Sequence, residues 1–175
     1  YKRQAMIYDK VQLIPTIDKI MARREDEFIK TLFEIFQELP HPLQFLKTDF
    51  ADSVRDPKIL LNTLRVGDES GQIVGFVKGS SLENYKLRSD IVDPHFGKGD
   101  TIFLEPIALK MGYWGMKGGR EMRQLFLMQA QSKGYKYLAS FALRDVIQER
   151  KKRNEKIEFV RQFDPERWDY YRVKL

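Results

Sequence analysis

Glu105 to Gly134, EPIALKMGYWGMKGGREMRQLFLMQAQSKG, reads as an apolar strand, a glycine-rich turn and a long helix stopped by a glycine. This order constrains the chain more than any other stretch. It sets unpaired backbone N–H groups and the positive end of a helix dipole at the mouth of a strand, where a phosphate would be held. The glycines Gly112, Gly115, Gly118 and Gly119 fit neither G-x-G-x-x-G with a following acid nor G-x-x-x-x-G-K-[ST]. Dinucleotide and P-loop readings therefore fail on spacing, and the turn is a candidate phosphate cradle of another kind.

The rest of the chain supplies a sheet for that unit. Leu60 to Val66 and Gln72 to Lys78 alternate or run apolar around Gly67-Asp-Glu-Ser-Gly71, a hairpin pattern. Thr101 to Leu109 reads as a buried strand, Gly118 to Lys133 as a helix, and Lys133-Gly134 as its charged last turn and stop. Tyr135 to Leu143 and Ile157 to Leu175 read as closing strands. Upstream, Met6 to Ile14 is a candidate first strand, Pro15-Thr16 a candidate helix start with Thr16 as N-cap, and Ile17 to Leu39 one kinked helix or two short ones. Pro40-His41-Pro42 ends that helix, and a loop to about Pro57 follows. Ser80 to Asp100, with Pro94, Gly97 and Gly99, reads as a long surface excursion.

Length and composition set outer bounds. With 175 residues, 42% of them hydrophobic, one good core is expected and a second is not. The absence of cysteine removes disulfides, thiolate metal sites and a cysteine nucleophile, and no zinc site is expected. No apolar run approaches the roughly 20 residues needed to cross a bilayer, and no basic leader opens the chain, so a cytoplasmic protein with no membrane partner is expected. The chain starts on Tyr1 rather than methionine, which leaves a fused upstream domain open; a homodimer is open as well. A net charge of +6 suits a polyanionic ligand without choosing one, and Arg150-Lys151-Lys152-Arg153 reads first as a solvated helix end. His41 and His95 sit in loops without a second ligand at metal spacing and read as surface residues.

The strand–turn–helix segment resembles motif A of the GNAT superfamily of N-acetyltransferases, where a strand enters a loop R/Q-x-x-G-x-G/A that wraps the pyrophosphate of coenzyme A. Laid on it without a gap, Ile107-Ala108-Leu109 falls on the end of the family's fourth strand, Trp114 to Gly119 on the loop and Arg120 on the start of the helix. Trp114 stands where the family prefers Arg or Gln, Lys117 replaces its first loop glycine, and Gly119 agrees with the second. The hairpin and the closing strands extend the likeness over about the last two-thirds of the chain.

The resemblance implies an α/β (α+β) fold: a GNAT-like single domain whose central sheet is mixed, mostly antiparallel, twisted and flanked by helices. Residues 1–60 would form an N-terminal helical, substrate-side part and 60–175 the sheet and acyl-CoA-binding core. It implies acetyl-CoA or another acyl-CoA as cosubstrate and an amine acceptor. The binding residues would be Leu109, Lys110 and Met111 at the strand end, then Trp114, Gly115, Met116, Lys117, Gly118, Gly119 and Arg120. Acyl transfer needs a base for the amine and an acid for the departing thiolate. Glu105, the only acid inside the expected strand, is the candidate base, with a strand-edge acid paired to a lysine as the other reading. No asparagine or tyrosine falls in register on Arg144 to Arg153, which leaves water, Tyr170 or Tyr171 as candidate acids.

Three functions stay open: an acyl-CoA-dependent N-acyltransferase, a GNAT-like domain that binds a ligand or protein partner without catalysis, and a basic RNA-binding module. The last would stack bases on Phe159, Phe163, Trp168, Tyr170 and Tyr171 between arginines. The glycine turn and helix favour the first two over the third, so nucleic acid is not the expected partner.

Overall fold

The computed structural model describes residues 11–39, 50–88 and 90–175. Chain order is β1 (Leu13–Thr16), α1 (Ile20–Arg23), α2 (Asp26–Phe36), α3 (Phe50–Arg55), β2 (Leu60–Val66), β3 (Ile73–Ser81), β4 (Thr101–Leu104), β5 (Ala108–Leu109), α4 (Gly118–Ser132), β6 (Tyr137–Leu143), α5 (Arg144–Lys152), β7 (Lys156–Arg161) and β8 (Trp168–Lys174). One sheet runs β1-β2-β3-β4-β6-β8-β7, and β5 pairs with β3 beyond the end of β4. Every pairing is antiparallel except β4 with β6. The parallel pair follows from connectivity, since α4 carries the chain back across a sheet face between the two strands. The sheet is therefore mixed and mostly antiparallel, with helices on both faces.

Apolar spacing decides which face each helix covers. Phe28, Ile29, Leu32, Ile35 and Phe36 form one stripe of α2 and pack with Phe50 of α3 on Leu61, Phe76 and Ala108. Met122, Phe126 and Ala130 form the buried stripe of α4 and pack on Leu64, Ile102, Leu104 and Leu138 of the opposite face. Behind α4, Ile147 of α5 seals Ala142, Tyr171 and Val173. Among the described residues no helix is long and apolar enough to cross a membrane.

Several expectations need correction. Pro15 and Thr16 lie in β1 and start no helix; the strand's rungs run from Leu13↔Val66 to Thr16↔Thr63. Its predicted opening, before Val11, and the Pro40-His41-Pro42 stop lie outside the described residues. The loop expected to Pro57 contains α3, which the spacing of Phe50 and Val54 drives onto the core. Ser80 and Ser81 extend β3 by pairing with Phe103 and Ile102. Among its described residues the excursion from residue 85 to 100 has no helix or strand, yet Tyr85, Ile91 and Asp93 are buried and pin it to the sheet. Nor is His95 a free surface residue, for its Nδ1 lies 3.0 Å from Asp100 and its ring 4.4 Å from that of Tyr137.

The expected strand Thr101 to Leu109 is interrupted. Gly79 opposes Leu104 while Phe76 opposes Ala108, so the three residues 105 to 107 face only Val77 and Lys78. This is a one-residue bulge. Pro106 sits in it without an N–H for a ladder on either side. Beyond the bulge, β5 lies close on β3 because Gly75 has no side chain: a Cβ there would meet Leu109 Cδ2 at 2.6 Å.

A gap through the sheet as candidate active site

The parallel ladder between β4 and β6 holds four rungs, Thr101↔Tyr137 to Leu104↔Ser140, and ends there. Ser140 Oγ donates to the Leu104 carbonyl at 2.6 Å and fastens the vertex. Past it the strands part, the bulge and β5 turning to β3 while β6 stays with β8 as far as Leu143↔Trp168. The gap holds a cavity of about 400 Å³. Its walls come from both faces of the sheet: Arg123, Val146, Arg150 and Tyr171 from the α4 and α5 side, Leu39 from the α2 side.

From the α4 side the cavity continues into a groove of about 550 Å³ between α4 and α5. The two share Ile107, Arg123, Val146 and Arg150, and the groove adds Gly119, Arg120 and Arg153. At its head stands the N-terminus of α4. The helical ladder opens with Glu121 N–H donating to the Lys117 carbonyl at 3.1 Å, which leaves the N–H groups of Gly118, Gly119 and Arg120 outside it. Gly118 is buried, and a Cβ on it would meet Leu64 Cδ2 at 2.4 Å, so the helix start lies flat on β2. Lys117 precedes it with φ 63°, a left-handed conformation that normally calls for glycine.

The other positions predicted from sequence are dispersed. Trp114 is 57% exposed and borders the cavity, and Gly119 and Arg120 border the groove. Gly115, Met116 and Lys117 instead edge a shallow depression against Leu13 and Ile14 of β1. Lys110 N–H donates to the Val74 carbonyl at 2.8 Å and is committed to the sheet. Strand alternation then aims the Leu109 N–H the other way, towards the gap. Met111 is 83% exposed.

Glu105 borders the cavity but is already engaged. Lys78 Nζ lies 2.9 and 2.8 Å from its two carboxylate oxygens, and Tyr85 Oη donates to Oε2 at 2.7 Å. All three side chains are buried, and burial followed by the Glu105 charge holds the Tyr85 phenol well above its ordinary pKa. A carboxylate has about four acceptor sites, so three bonds leave one for a water or an amine.

The two tyrosines separate. Tyr170 faces away from α4 and donates to Asp93, and burial and that bond hold its pKa above the ordinary value, so its proton is committed. Tyr171 borders the cavity, its Oη accepting from Arg150 Nη1 at 2.5 Å and Arg123 Nη2 at 3.4 Å. Arg123 is itself buried on Glu155 through two bonds of 2.7 Å; burial alone would lower its pKa, but Tyr171 and Glu155 outweigh it. The aromatic residues of the RNA-binding reading are mostly spent on the core. Phe163, Tyr170 and Tyr171 are buried, and Arg172 is paired with buried Asp93 at 2.6 Å.

Sequence reading missed Lys78, Tyr85, Ser140 and Arg123, and gave Arg150 and Trp168 other roles, a solvated helix end and a base-stacking ring. Arg123 had a readable signal, lying one helical turn after Gly119 on the same face. The others come to the gap, or to the Glu105 that borders it, only through contacts between elements distant in sequence.

No family model matches the chain, and no curated sequence matches it. Solved structures do. The ribosomal-protein-S18-alanine N-acetyltransferase from Escherichia coli superposes with a TM-score of 0.58 at 14% identity, over 94% of this chain and 93% of that one. An N-acetyltransferase from Staphylococcus aureus Mu50 gives 0.55 at 14% identity, over 94% and 98%. An acetyltransferase of the GNAT family from Streptococcus pneumoniae gives 0.54 at 14%, over 93% and 98%. At such identities what is shared is the architecture over most of the chain.

Proposed function

The chain has the fold of the GNAT acetyltransferases, and from that premise we propose that it is an acyl-CoA-dependent N-acyltransferase. The observation that carries the proposal is the continuous path from the N-terminus of α4, along the groove, through the gap in the sheet. The N–H groups of Gly118, Gly119 and Arg120 would hold the pyrophosphate, with the Arg120 cation beside them in the groove and the Lys117 ammonium reaching round the helix start from the β1 side. The Leu109 N–H would meet the pantetheine arm along the strand edge. An acceptor amine entering from the α2 side would attack the thioester carbon, forming the C–N bond as the C–S bond breaks. Its proton would pass to Glu105, directly or through a water at the free acceptor site, and a water or Tyr171 would return one to the thiolate.

A second reading, acyl-CoA binding without transfer, is favoured by one observation, the Lys78 and Tyr85 bonds that occupy most of the Glu105 carboxylate. Calorimetry with acetyl-CoA, followed by thiol release with a panel of amines, separates the two. Gly119→Glu tests the cradle: a Cβ there would lie 3.4 Å from Leu109, ordinary contact, so the variant folds while setting a carboxylate against the pyrophosphate. Binding should fall at least about 100-fold, the loss of a few charge-assisted bonds. Unchanged affinity in the folded variant would remove the proposal.

A further inference from the structure

Every charged or hydroxyl-bearing side chain on the wall of the gap already has a partner in the protein. Glu105 is held by Lys78 and Tyr85. The Ser140 hydroxyl is given to the Leu104 carbonyl. Arg123 is held by Glu155, and Arg150 by the Tyr171 hydroxyl. Apart from one acceptor site on Glu105 and the Arg123 Nε, which has no partner in the protein, the surface left to a guest is mostly hydrocarbon.

On the α2 side of the vertex that surface is formed by Leu39, Pro106, Phe141, Leu143 and Trp168. Phe141 and Leu143 alternate with Ser140 and Ala142 along β6, and Leu143 pairs with Trp168, so an apolar strip lies past the point where the ladder stops. The mouth is apolar too. Trp114, Leu143 and Val146 stand 57%, 40% and 37% exposed around it, more hydrocarbon in water than singly scattered residues leave.

Resting on the acyltransferase reading, we propose that the acyl group this site takes is an apolar one larger than acetyl, a medium-length aliphatic or an aryl group. The strip on the α2 side is the first surface that a group attached to the thiol would meet after the pantetheine arm passes the vertex. An acetyl group ends at the vertex and leaves the strip wet. Each further methylene would replace water there, worth up to about fourfold in affinity when fully buried.

The test is calorimetric titration of the protein with coenzyme A, acetyl-CoA, butyryl-CoA, hexanoyl-CoA and benzoyl-CoA, without an amine, so that the acyl group alone is read. Affinity should climb along the aliphatic series, with hexanoyl-CoA at least tenfold tighter than acetyl-CoA and one molecule bound per chain. Leu143→Lys, at a partly exposed position that tolerates a charge, should shrink the hexanoyl advantage to less than threefold by placing an ammonium on the strip. Acetyl-CoA binding as tightly as hexanoyl-CoA, or an advantage that survives Leu143→Lys, overturns this inference and leaves the acyltransferase reading standing. Failure of all five ligands to bind overturns both.

Discussion

Lys117 is a residue whose backbone and side chain ask for opposite things. Its φ of 63° is the conformation that a glycine supplies at no cost, and a lysine there gives up about 1 kcal/mol. The loop is therefore shaped as a glycine would shape it, and the lysine is strained in place. Lys117→Gly should raise the denaturant midpoint by an amount equivalent to about 1 kcal/mol. It should also weaken acetyl-CoA binding several-fold with a shallower salt dependence, the mark of a lost phosphate contact. Equal or tighter binding would show that the ammonium takes no part. Glu105 poses a different problem, because Glu105→Gln alone strands the buried Lys78 ammonium and costs roughly 3 kcal/mol whatever its role. The double variant Lys78→Met, Glu105→Leu replaces the pair by hydrocarbon and should unfold within about 1–3 kcal/mol of the wild type, the cost of taking the Glu105 acceptor from the buried Tyr85 hydroxyl. With an acceptor in hand, its kcat should fall about 100-fold or more while acyl-CoA affinity stays within a few-fold. Full turnover in that folded double variant would end the base assignment and put the binding reading ahead.

Among the elements, β8 carries the pH dependence. The Asp169 carboxylate accepts Arg144 Nε at 2.8 Å, Arg144 Nη2 at 3.2 Å and the Phe163 N–H at 3.0 Å. Burial would raise its pKa, yet these bonds, Arg144 first, hold it below the ordinary carboxylate value. A depressed folded value means stability that is present above the unfolded pKa of about 3.9 and is lost as pH falls through the folded one. Urea midpoints should hold steady for this group from pH 7 to 5 and drop below about pH 4. Asp169→Asn should cost roughly 2–4 kcal/mol at pH 7 and flatten the acid limb; an acid limb as steep as wild type would move the effect elsewhere. Asp100 and Asp68, also depressed, add falls of the same sign that the variant retains. Elements with strong local signals are legible in the amino-acid order alone: β2 runs Leu60 to Val66 as the alternation says, and α4 stops where Lys133 and Gly134 say. The interruption of Thr101 to Leu109 is legible as well, in Pro106, but the apolar run around it outweighs one proline when residues are read by hydropathy. What stays hidden is long-range. Neither the Lys78 bond to Glu105 nor the place of Tyr171 beside Arg123 and Arg150 has a spacing to read, since the first arises only when β3 meets the end of β4 and the second only when α4 and α5 pack on β8.

For the molecule as a whole, the hairpins β2–β3 and β7–β8 close over short turns, whereas the parallel rungs between β4 and β6 must wait for α4 to lie down between them. Loop closure over a whole helix is slower than over a turn, so the rungs from Thr101 to Leu104 are expected to form after the hairpins, an order that pulse-labelled hydrogen exchange would check. The ladder ends two residues short of Pro106, a residue with nothing to donate. The opening in the sheet is thus the place where a seam between two hairpin-built halves meets an imino acid.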